Sequence, residues 1–324
     1  MAPRRVIGVD MGGTKLLAGA VDSELGVHHR LQRHVAGLDQ TELIETIVGA
    51  VQEVARHAGG DVAAVGFGIP CVFDRRTGVA VLAVNLPLAD IRFADVMTER
   101  LGMPVFVDND GNTAALAEHR AGAARGADNA ALMTIGTGIG GGLILDGRIY
   151  RGSIGAGAEL GHMVIDMDGP RCQGNCPNRG CVEALASGTA LAREAVRVAG
   201  EEPDSRLGRA LADGRELAGP LVTELAHDGD PAALEVLDLI GSRLGVGIAN
   251  LVNIFNPEVV VVGGGVIAAG ELLLAPARKQ VAQRALPPGR DSVRIVAAEF
   301  GVEAGMIGAA ALAFDALAEH GASS

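Results

Sequence analysis

The chain has 324 residues, 48% of them hydrophobic and 20% charged, so it is long enough for two domains with substantial cores. Its formal net charge of −12 argues against the basic face that a nucleic-acid-binding protein needs. Glycines and polar residues interrupt the longest apolar stretches and no signal-peptide core is evident, so we expect a cytoplasmic protein without a membrane span.

The first half of the chain has an α/β pattern. A short apolar strand over 6–10 leads into a glycine turn over 11–15 and a second strand over 16–21. Apolar residues recur at helical spacing over 41–58. Further on, we expect strands over 62–69 and 105–110 and a helix over 112–119.

The strand–glycine turn–strand theme recurs in the second half, with strands over 129–134 and 143–146 around a turn over 135–142. This recurrence predicts a duplicated fold with two facing phosphate loops. The later elements are a helix over 246–255, a buried strand over 259–262, a helix over 266–274 and a last helix over 305–319, which we expect to pack back on the first half. Residues 195–230 show no interpretable pattern.

The first glycine turn carries the residues of a phosphate site. Gly12 and Gly13 let backbone N–H groups approach phosphate oxygens, and Thr14 and Lys15 can add a hydroxyl donor and a charge. Asp10 can hold Mg²⁺, usually through water. An ordinary hairpin turn explains this motif equally well. It is not a Walker A loop, because the GxxxxGK[ST] order is missing and a strand follows.

The second turn holds four glycines within 134–141, whereas a hairpin alone needs one or two. This density favours phosphate binding from the opposite side by Thr137, Gly138 and Gly140.

Two aspartates and two asparagines fall between Asp108 and Asn112, where a strand ends and a helix begins. The helix N-terminus would keep the carboxylate of Asp110 ionised, so that it could accept a proton from a substrate hydroxyl. The alternative is a simple helix cap, which is the role of most such aspartates.

The densest motif combines His162 with Cys172, Cys176 and Cys181. Three thiols and one imidazole suit tetrahedral Zn²⁺, and four protein ligands make the zinc structural. The alternative is a set of reduced, unliganded cysteines, but those usually lie among apolar neighbours, and these lie among Gly, Pro, Asn and Arg.

Two glutamates flank the metal motif: Glu159 precedes His162 by three residues, and Glu183 follows Cys181 by two. A zinc ion would hold both carboxylates on a rigid loop, where they could accept hydrogen bonds from vicinal sugar hydroxyls. His162 could bind zinc through one ring nitrogen and donate to a hydroxyl through the other.

Together these motifs resemble the ROK family (repressors, open reading frames and sugar kinases) of the actin/hexokinase/Hsp70 superfamily. The resemblance runs in order through Asp10-x-Gly-Gly-Thr-Lys15, Gly68-x-Pro70, Asn85-Leu-Pro87, Asp108-Asn-Asp110, Gly136-Thr-Gly-x-Gly-Gly141, Glu159-x-Gly-His162, Gly180-Cys181-x-Glu183 and Gly263-Gly-Gly265. It implies two RNase H-like α/β domains around a central cleft, one formed by 1–117 with 305–324 and the other by 118–304. One departure concerns Cys172, because the family usually shows Cys-x-Cys where this chain has Cys172-x₃-Cys176.

The resemblance also implies roles for the residues. Asp110 is the base for the sugar 6-hydroxyl, and Gly264 and Gly265 lie near the adenosine. The sugar-binding set is Gly68, Asn85, Asn109, Glu159, His162 and Glu183. Closure of the domains on the sugar would exclude water from phosphoryl transfer.

The leading hypothesis is therefore phosphorylation of glucose by Mg²⁺–ATP, in a homodimer or dimer of dimers. A kinase for fructose, mannose or an N-acetylhexosamine is the runner-up, and polyphosphate is a possible donor. A sugar-responsive regulator is another alternative, but its winged-helix domain would precede the first strand, which begins within six residues of Met1. The expected cofactors are ATP, catalytic Mg²⁺ and structural Zn²⁺.

Overall fold

The structure is a computed structural model that describes residues 5–59, 61–74, 79–83, 86–89 and 91–322. The chain divides into two compact units. The first unit comprises Met1–Gly126, Gly142–Ala158 and Val302–Ser324, and the second comprises Ala127–Gly141 and Glu159–Gly301.

Strands in the described residues form two five-stranded sheets and one two-stranded ribbon. In chain order they are β1 Arg5–Met11, β2 Lys15–Val21, β3 Val27–His34, β4 Val62–Ile69, β5 Cys71–Asp74, β6 Val79–Ala83, β7 Val105–Asn109, β8 Ala130–Ile135, β9 Ile139–Leu145, β10 Arg148–Ile149, β11 Val259–Gly263 and β12 Arg294–Ala297.

The α-helices, again in chain order, are α1 Gln40–His57, α2 Phe93–Leu101, α3 Asp110–Ala121, α4 Val182–Ala186, α5 Gly188–Glu201, α6 Arg206–Ala212, α7 Gly219–His227, α8 Pro231–Phe255, α9 Glu271–Arg284, α10 Gly289–Ser292 and α11 Ala304–Ala322. Short 3₁₀ helices cover Leu160–His162, Gly265–Ala269 and Gly301–Glu303.

The two large sheets have the same strand order. One runs β3-β2-β1-β4-β7 and the other β10-β9-β8-β11-β12, so in each the first strand of the set lies between the second and the fourth. In the first sheet β1 pairs antiparallel with β2 and parallel with β4, and in the second β11 pairs parallel with both β8 and β12. The duplicated α/β fold predicted from the two glycine turns is confirmed.

The register of the first sheet brings three sequence motifs to one edge. Asp10 on β1 pairs with Gly68 on β4, and Gly68 pairs with Asp108 on β7. Because the three strands are parallel, their carboxyl ends lie side by side at intervals of about 4.8 Å. A Cβ at Gly68 would lie 2.4 Å from Thr113 Oγ1, so glycine on the middle strand makes room for the Thr113 side chain of α3.

Helix α1 illustrates how local sequence sets an element. Asp39 caps it, since its Oδ1 accepts from the N–H of Glu42 at 2.9 Å while Glu42 Oε2 accepts from the N–H of Asp39 at 3.0 Å. Its apolar face is buried in the core of the first sheet and includes Leu43, Ile47, Val51 and Val54.

Several helices of the second unit differ from expectation. Helices α5, α6 and α7 occupy most of the stretch that showed no pattern, and α8 begins at Pro231 rather than near residue 246. Gly241 and Gly245 lie inside α8 where the backbone of α9 comes close: a Cβ at either would lie 2.4 Å from a carbonyl oxygen. The helix expected over 266–274 is also wrong, because Gly270 at φ +56° separates a 3₁₀ turn from α9.

Helix α11 packs against β1, β4 and α3 within the first unit. The segment Gly301–Glu319, which contains the preceding 3₁₀ turn and most of α11, is long and apolar enough to cross a membrane by length and composition, yet half of it is buried in the structure. The contact with the sheet is so close that a Cβ at Gly66 on β4 would lie 1.8 Å from the carbonyl oxygen of Ala309.

We expect Gly66→Ala to lower the free energy of unfolding by about 3 kcal/mol, because the clash is with backbone that no rotamer change can relieve. Gly49→Ala is the matched control. Gly49 is exposed in α1 with open space around it, so alanine there should raise stability by up to about 1 kcal/mol. Urea titration of both variants is the measurement; equal midpoints would contradict the close packing.

Candidate active site

The turn between β1 and β2 follows Asp10 and is closed by a hydrogen bond from the N–H of Gly12 to the carbonyl of Lys15 at 2.8 Å. Gly12, Thr14 and Lys15 are exposed, so the Thr14 hydroxyl and the Lys15 ammonium are accessible to a ligand, whereas the Gly12 N–H is already bonded within the turn. The hairpin expected from the sequence is therefore present, and its exposed side chains leave the predicted phosphate site possible in the same turn.

The Asp10 carboxylate lies against the start of α11, where a Cβ at Gly305 would lie 2.4 Å from its Cγ. Desolvation, followed by the nearby negative charge of Asp110, raises the pKa of Asp10 to about 7. Two carboxylates that repel each other in this way form a favourable place for a divalent cation, whose charge would keep both ionised.

Asp110 is the first residue of α3, directly after Asn109 at the end of β7. Asn109 caps the helix, since its Oδ1 accepts from the N–H groups of Gly111 at 2.8 Å and Asn112 at 3.4 Å. Asp110 Oδ1 accepts from the same Gly111 N–H at 2.9 Å. The helix cap is thus Asn109 rather than Asp110, and its Oδ1 makes the capping bonds, which leaves its Nδ2 amide as the donor for a ligand.

An ion pair that the sequence did not reveal supports this turn. The buried Asp108 carboxylate accepts from Arg151 Nε at 2.5 Å, from Asn112 Nδ2 at 2.8 Å and from the N–H of Asn109 at 2.8 Å. Arg151 follows β10, 43 residues along the chain from Asp108. Its guanidinium therefore fixes the end of β7, from which the turn to Asp110 begins.

Arg151→Ala should destabilise the first unit by about 3 kcal/mol, because it leaves a buried carboxylate without its cation. Arg151→Lys keeps the charge and should recover part of that loss. Thermal unfolding of the two variants measures the difference; an alanine variant as stable as the unaltered protein would refute the role.

The second glycine turn is shorter than expected, because β9 begins at Ile139 and so includes Gly140. The carbonyl of Gly136 accepts from the N–H of Gly188 at 2.8 Å, and that of Thr137 accepts from Thr189 Oγ1 at 2.9 Å. In a planar trans peptide the N–H points away from the carbonyl. The N–H groups of Thr137 and Gly138 therefore point away from α5 and can face phosphate oxygens.

Gly264 lies beside this turn in the second unit. Its φ of +85° is favourable only for glycine, and a Cβ there would lie 2.4 Å from the carbonyl oxygen of Ile135. Gly265 has open space at its Cβ position. The second unit thus brings the predicted outer-phosphate and adenosine glycines to the ends of two adjacent strands, β8 and β11.

The four predicted metal ligands come together. One ligand atom from each of His162, Cys172, Cys176 and Cys181 lies within 4.8 Å of every other. His162 Nδ1 is 3.5 Å from Cys172 Sγ, and the Sγ atoms of Cys176 and Cys181 are 3.9 Å apart. Sulfurs bound tetrahedrally at 2.3 Å would be about 3.8 Å apart, so the set fits Zn²⁺.

Cys172 belongs to this set despite its unusual spacing in the sequence. Two isolated bridges, Val164 to Cys181 and Arg171 to Arg179, close the loop, and the N–H of Cys172 donates to the carbonyl of Asn178 at 3.0 Å. Burial raises the pKa of the Cys172 thiol, so the thiolate that zinc requires would depend on the cation itself.

The glutamates predicted to bind sugar are neighbours. Desolvation raises the pKa of Glu159, the His162 ring lowers it, and the negative charge of Glu183 raises it. Glu183 itself is buried at the start of α4, where its Oε2 accepts from the N–H of Ile139 at 2.8 Å.

The other predicted site residues Gly68, Asn109 and Asp110 belong to the first unit. Asn85 lies outside the residues that the structure describes.

The profile of the ROK family matches residues 6–316. A glucokinase of Thermotoga maritima is 36% identical over 315 residues, covering 96% of this chain and 98% of the relative. A ROK family glucokinase of Streptomyces griseus, solved with glucose and AMPPNP, has a TM-score of 0.82 and 35% identity, covering 95% of this chain and 98% of that one. A ROK hexokinase of Thermus thermophilus has a TM-score of 0.79 and 35% identity, with 97% and 99% covered.

Proposed function

This chain belongs to the ROK family, and we propose that it is an ATP-dependent hexose kinase that converts glucose and ATP to glucose 6-phosphate and ADP. The observation that carries the proposal is the position of Asp110. Asp110 lies at the N-terminus of α3, directly after β7. The carboxyl end of β7 lies at the same end of the sheet as Asp10 on β1. A carboxylate so placed can serve as a general base beside a cation site.

In the proposed reaction the sugar 6-hydroxyl attacks the γ-phosphorus of ATP. The new O–P bond forms as the bond between that phosphorus and the β,γ-bridging oxygen breaks, ADP leaves, and the hydroxyl proton passes to Asp110. Asp10 would hold Mg²⁺, which supplies charge neutralisation on the phosphates. The donors of the two glycine turns would orient the phosphates through Gly12, Gly13, Thr14, Lys15, Thr137, Gly138 and Gly140.

Sugar recognition is proposed for the remaining residues. Glu159 and Glu183 would accept hydrogen bonds from hydroxyls, and His162 would donate from Nε2, because its Nδ1 faces the cysteine thiols. Gly68, Asn85 and Asn109 would complete the set. Zinc would be structural, and Gly264 and Gly265 would approach the adenosine.

The same acceptors would suit other hexoses, so fructose, mannose and the N-acetylhexosamines are the runner-up substrates. A coupled assay of ADP release across these sugars and glucose tests the choice. We expect the highest kcat/KM with glucose, and a tenfold preference for another sugar would replace glucose in the proposal. Replacing ATP by polyphosphate in a parallel assay of sugar phosphate tests the donor.

We also propose that the domains are 1–117 with 305–324 and 118–304, and that the protein is a cytoplasmic homodimer or dimer of dimers. Light scattering on the eluate of a size-exclusion column measures the molar mass and so tests the oligomeric state. A mass of 32.9 kDa, that of one chain, would refute the proposed dimer.

A further inference from the structure

The three residues between Cys172 and Cys176 bring the side chain of Gln173 to the second glycine turn. Gln173 Nε2 lies 3.2 Å from the carbonyl oxygen of Thr137 and 3.1 Å from Ser187 Oγ. Ser187 in turn caps α5 by accepting from the N–H of Ala190 at 3.2 Å. The cysteine loop, residues 172–181, is therefore hydrogen-bonded to a turn 36 residues earlier in the chain.

A second contact holds the far end of the same turn. Glu183 Oε2 accepts from the N–H of Ile139 at 2.8 Å, and its Oε1 lies 3.4 Å from Cys172 Sγ. A Cβ at Gly138 would lie 2.4 Å from Glu183 Oε2, so the contact requires glycine at that position. Gln173 and Glu183 therefore hold the turn on both sides of Gly138.

The hydrogen bond to the Thr137 carbonyl also affects ligand binding, because the peptide unit is planar. The carbonyl of Thr137 and the N–H of Gly138 belong to one planar trans peptide unit, so fixing the carbonyl fixes the direction of the N–H. Thr189 Oγ1 donates to the carbonyl from α5 at 2.9 Å, and Gln173 donates from the cysteine loop. With two donors, the peptide cannot rotate without losing hydrogen bonds from two separate segments.

We propose that Gln173 is a positioning residue for the nucleotide: by holding the Thr137 carbonyl it directs the Gly138 N–H at the phosphates. This inference rests on the proposed function, because it takes the turn to be a phosphate site. Gln173 itself would not touch the nucleotide. One neutral hydrogen bond of this kind should change nucleotide affinity by about three- to tenfold.

The test is isothermal titration of the purified, metal-loaded protein with MgADP. Gln173→Ala removes the donor, and Gln173→Glu keeps the side-chain length but places an acceptor against the Thr137 carbonyl. We expect the Kd for MgADP to rise by about three- to tenfold in the first variant and at least as much in the second. Asn175→Ala, at an exposed amide in the same loop, is the matched control and should bind like the unaltered protein.

Steady-state kinetics separate positioning from a general loss of structure. In Gln173→Ala the KM for ATP should rise by about three- to tenfold, while the KM for glucose stays within about twofold and the metal content is unchanged. Equal MgADP affinity in Gln173→Ala and the unaltered protein would overturn the inference, as would an equal loss in Asn175→Ala. If the unaltered protein fails to bind MgADP, the proposed function itself fails.

Discussion

Asp110→Asn is expected to lower kcat by about 100-fold or more while the Kd for glucose changes by less than about threefold. Asparagine keeps the shape of the side chain but cannot accept the proton of the sugar hydroxyl. The helix cap should survive, because Asn109 Oδ1 rather than Asp110 holds the N–H of Asn112. Turnover is measured by coupled ADP release and glucose binding by calorimetry.

Asp39→Asn is the matched control, since it makes the same chemical change at the cap of α1, and asparagine caps as well as aspartate. Its turnover should equal that of the unaltered protein. The charge removed in Asp110→Asn should also lower the pKa of Asp10 from about 7, because Asp110 contributes to raising it. Near-normal turnover in Asp110→Asn would remove this residue from the mechanism.

Cys181→Ser is expected to reduce bound zinc from roughly one ion per chain to a small fraction of that. Cys181 is fully buried and its Sγ is 3.9 Å from that of Cys176, so the variant places a neutral hydroxyl, a poor zinc ligand, at the centre of the cluster. His162 and Glu183 depend on the same loop, so glucose affinity should fall at least tenfold. Elemental analysis and calorimetry are the measurements.

Cys71→Ala provides the control for a cysteine outside the cluster, because Cys71 is a buried residue of β5 in the first unit. Its zinc content should match that of the unaltered protein. Two results would show that the cluster is only a set of free thiols. One is unaltered protein that contains no zinc after purification, and the other is Cys181→Ser protein that still contains one zinc ion per chain.

Several strands and helix α1 of the first unit were predictable because the residues that determine them are close together in the sequence. Strand β4 was predicted with its observed limits, and β1, β2 and α1 to within a residue or so, since each alternates or repeats over a short window beside glycine or a cap. Helix α8 was not, because Gly241 and Gly245 resemble helix breakers in sequence. These glycines are needed because α9 packs closely against α8, and that tertiary contact cannot be read from the local sequence.

The same distinction applies to the site. Motif residues such as Asp110 and Cys181 are predictable because residues near them in sequence specify the chemistry. Gln173 and Arg151 are not, since their partners lie 36 and 43 residues away and no spacing rule links them. What the structure adds is therefore the set of long-range contacts that position groups already apparent in the sequence.

The central claim is phosphoryl transfer from ATP to the 6-hydroxyl of glucose. Incubation of the purified protein with glucose and Mg²⁺–ATP, followed by ³¹P NMR, tests it most directly, with Asp110→Asn in parallel. We expect glucose 6-phosphate and ADP to form in equal amounts with the unaltered protein, and the variant to form them far more slowly. Release of ADP without a sugar phosphate, or no reaction at all, would contradict the claim.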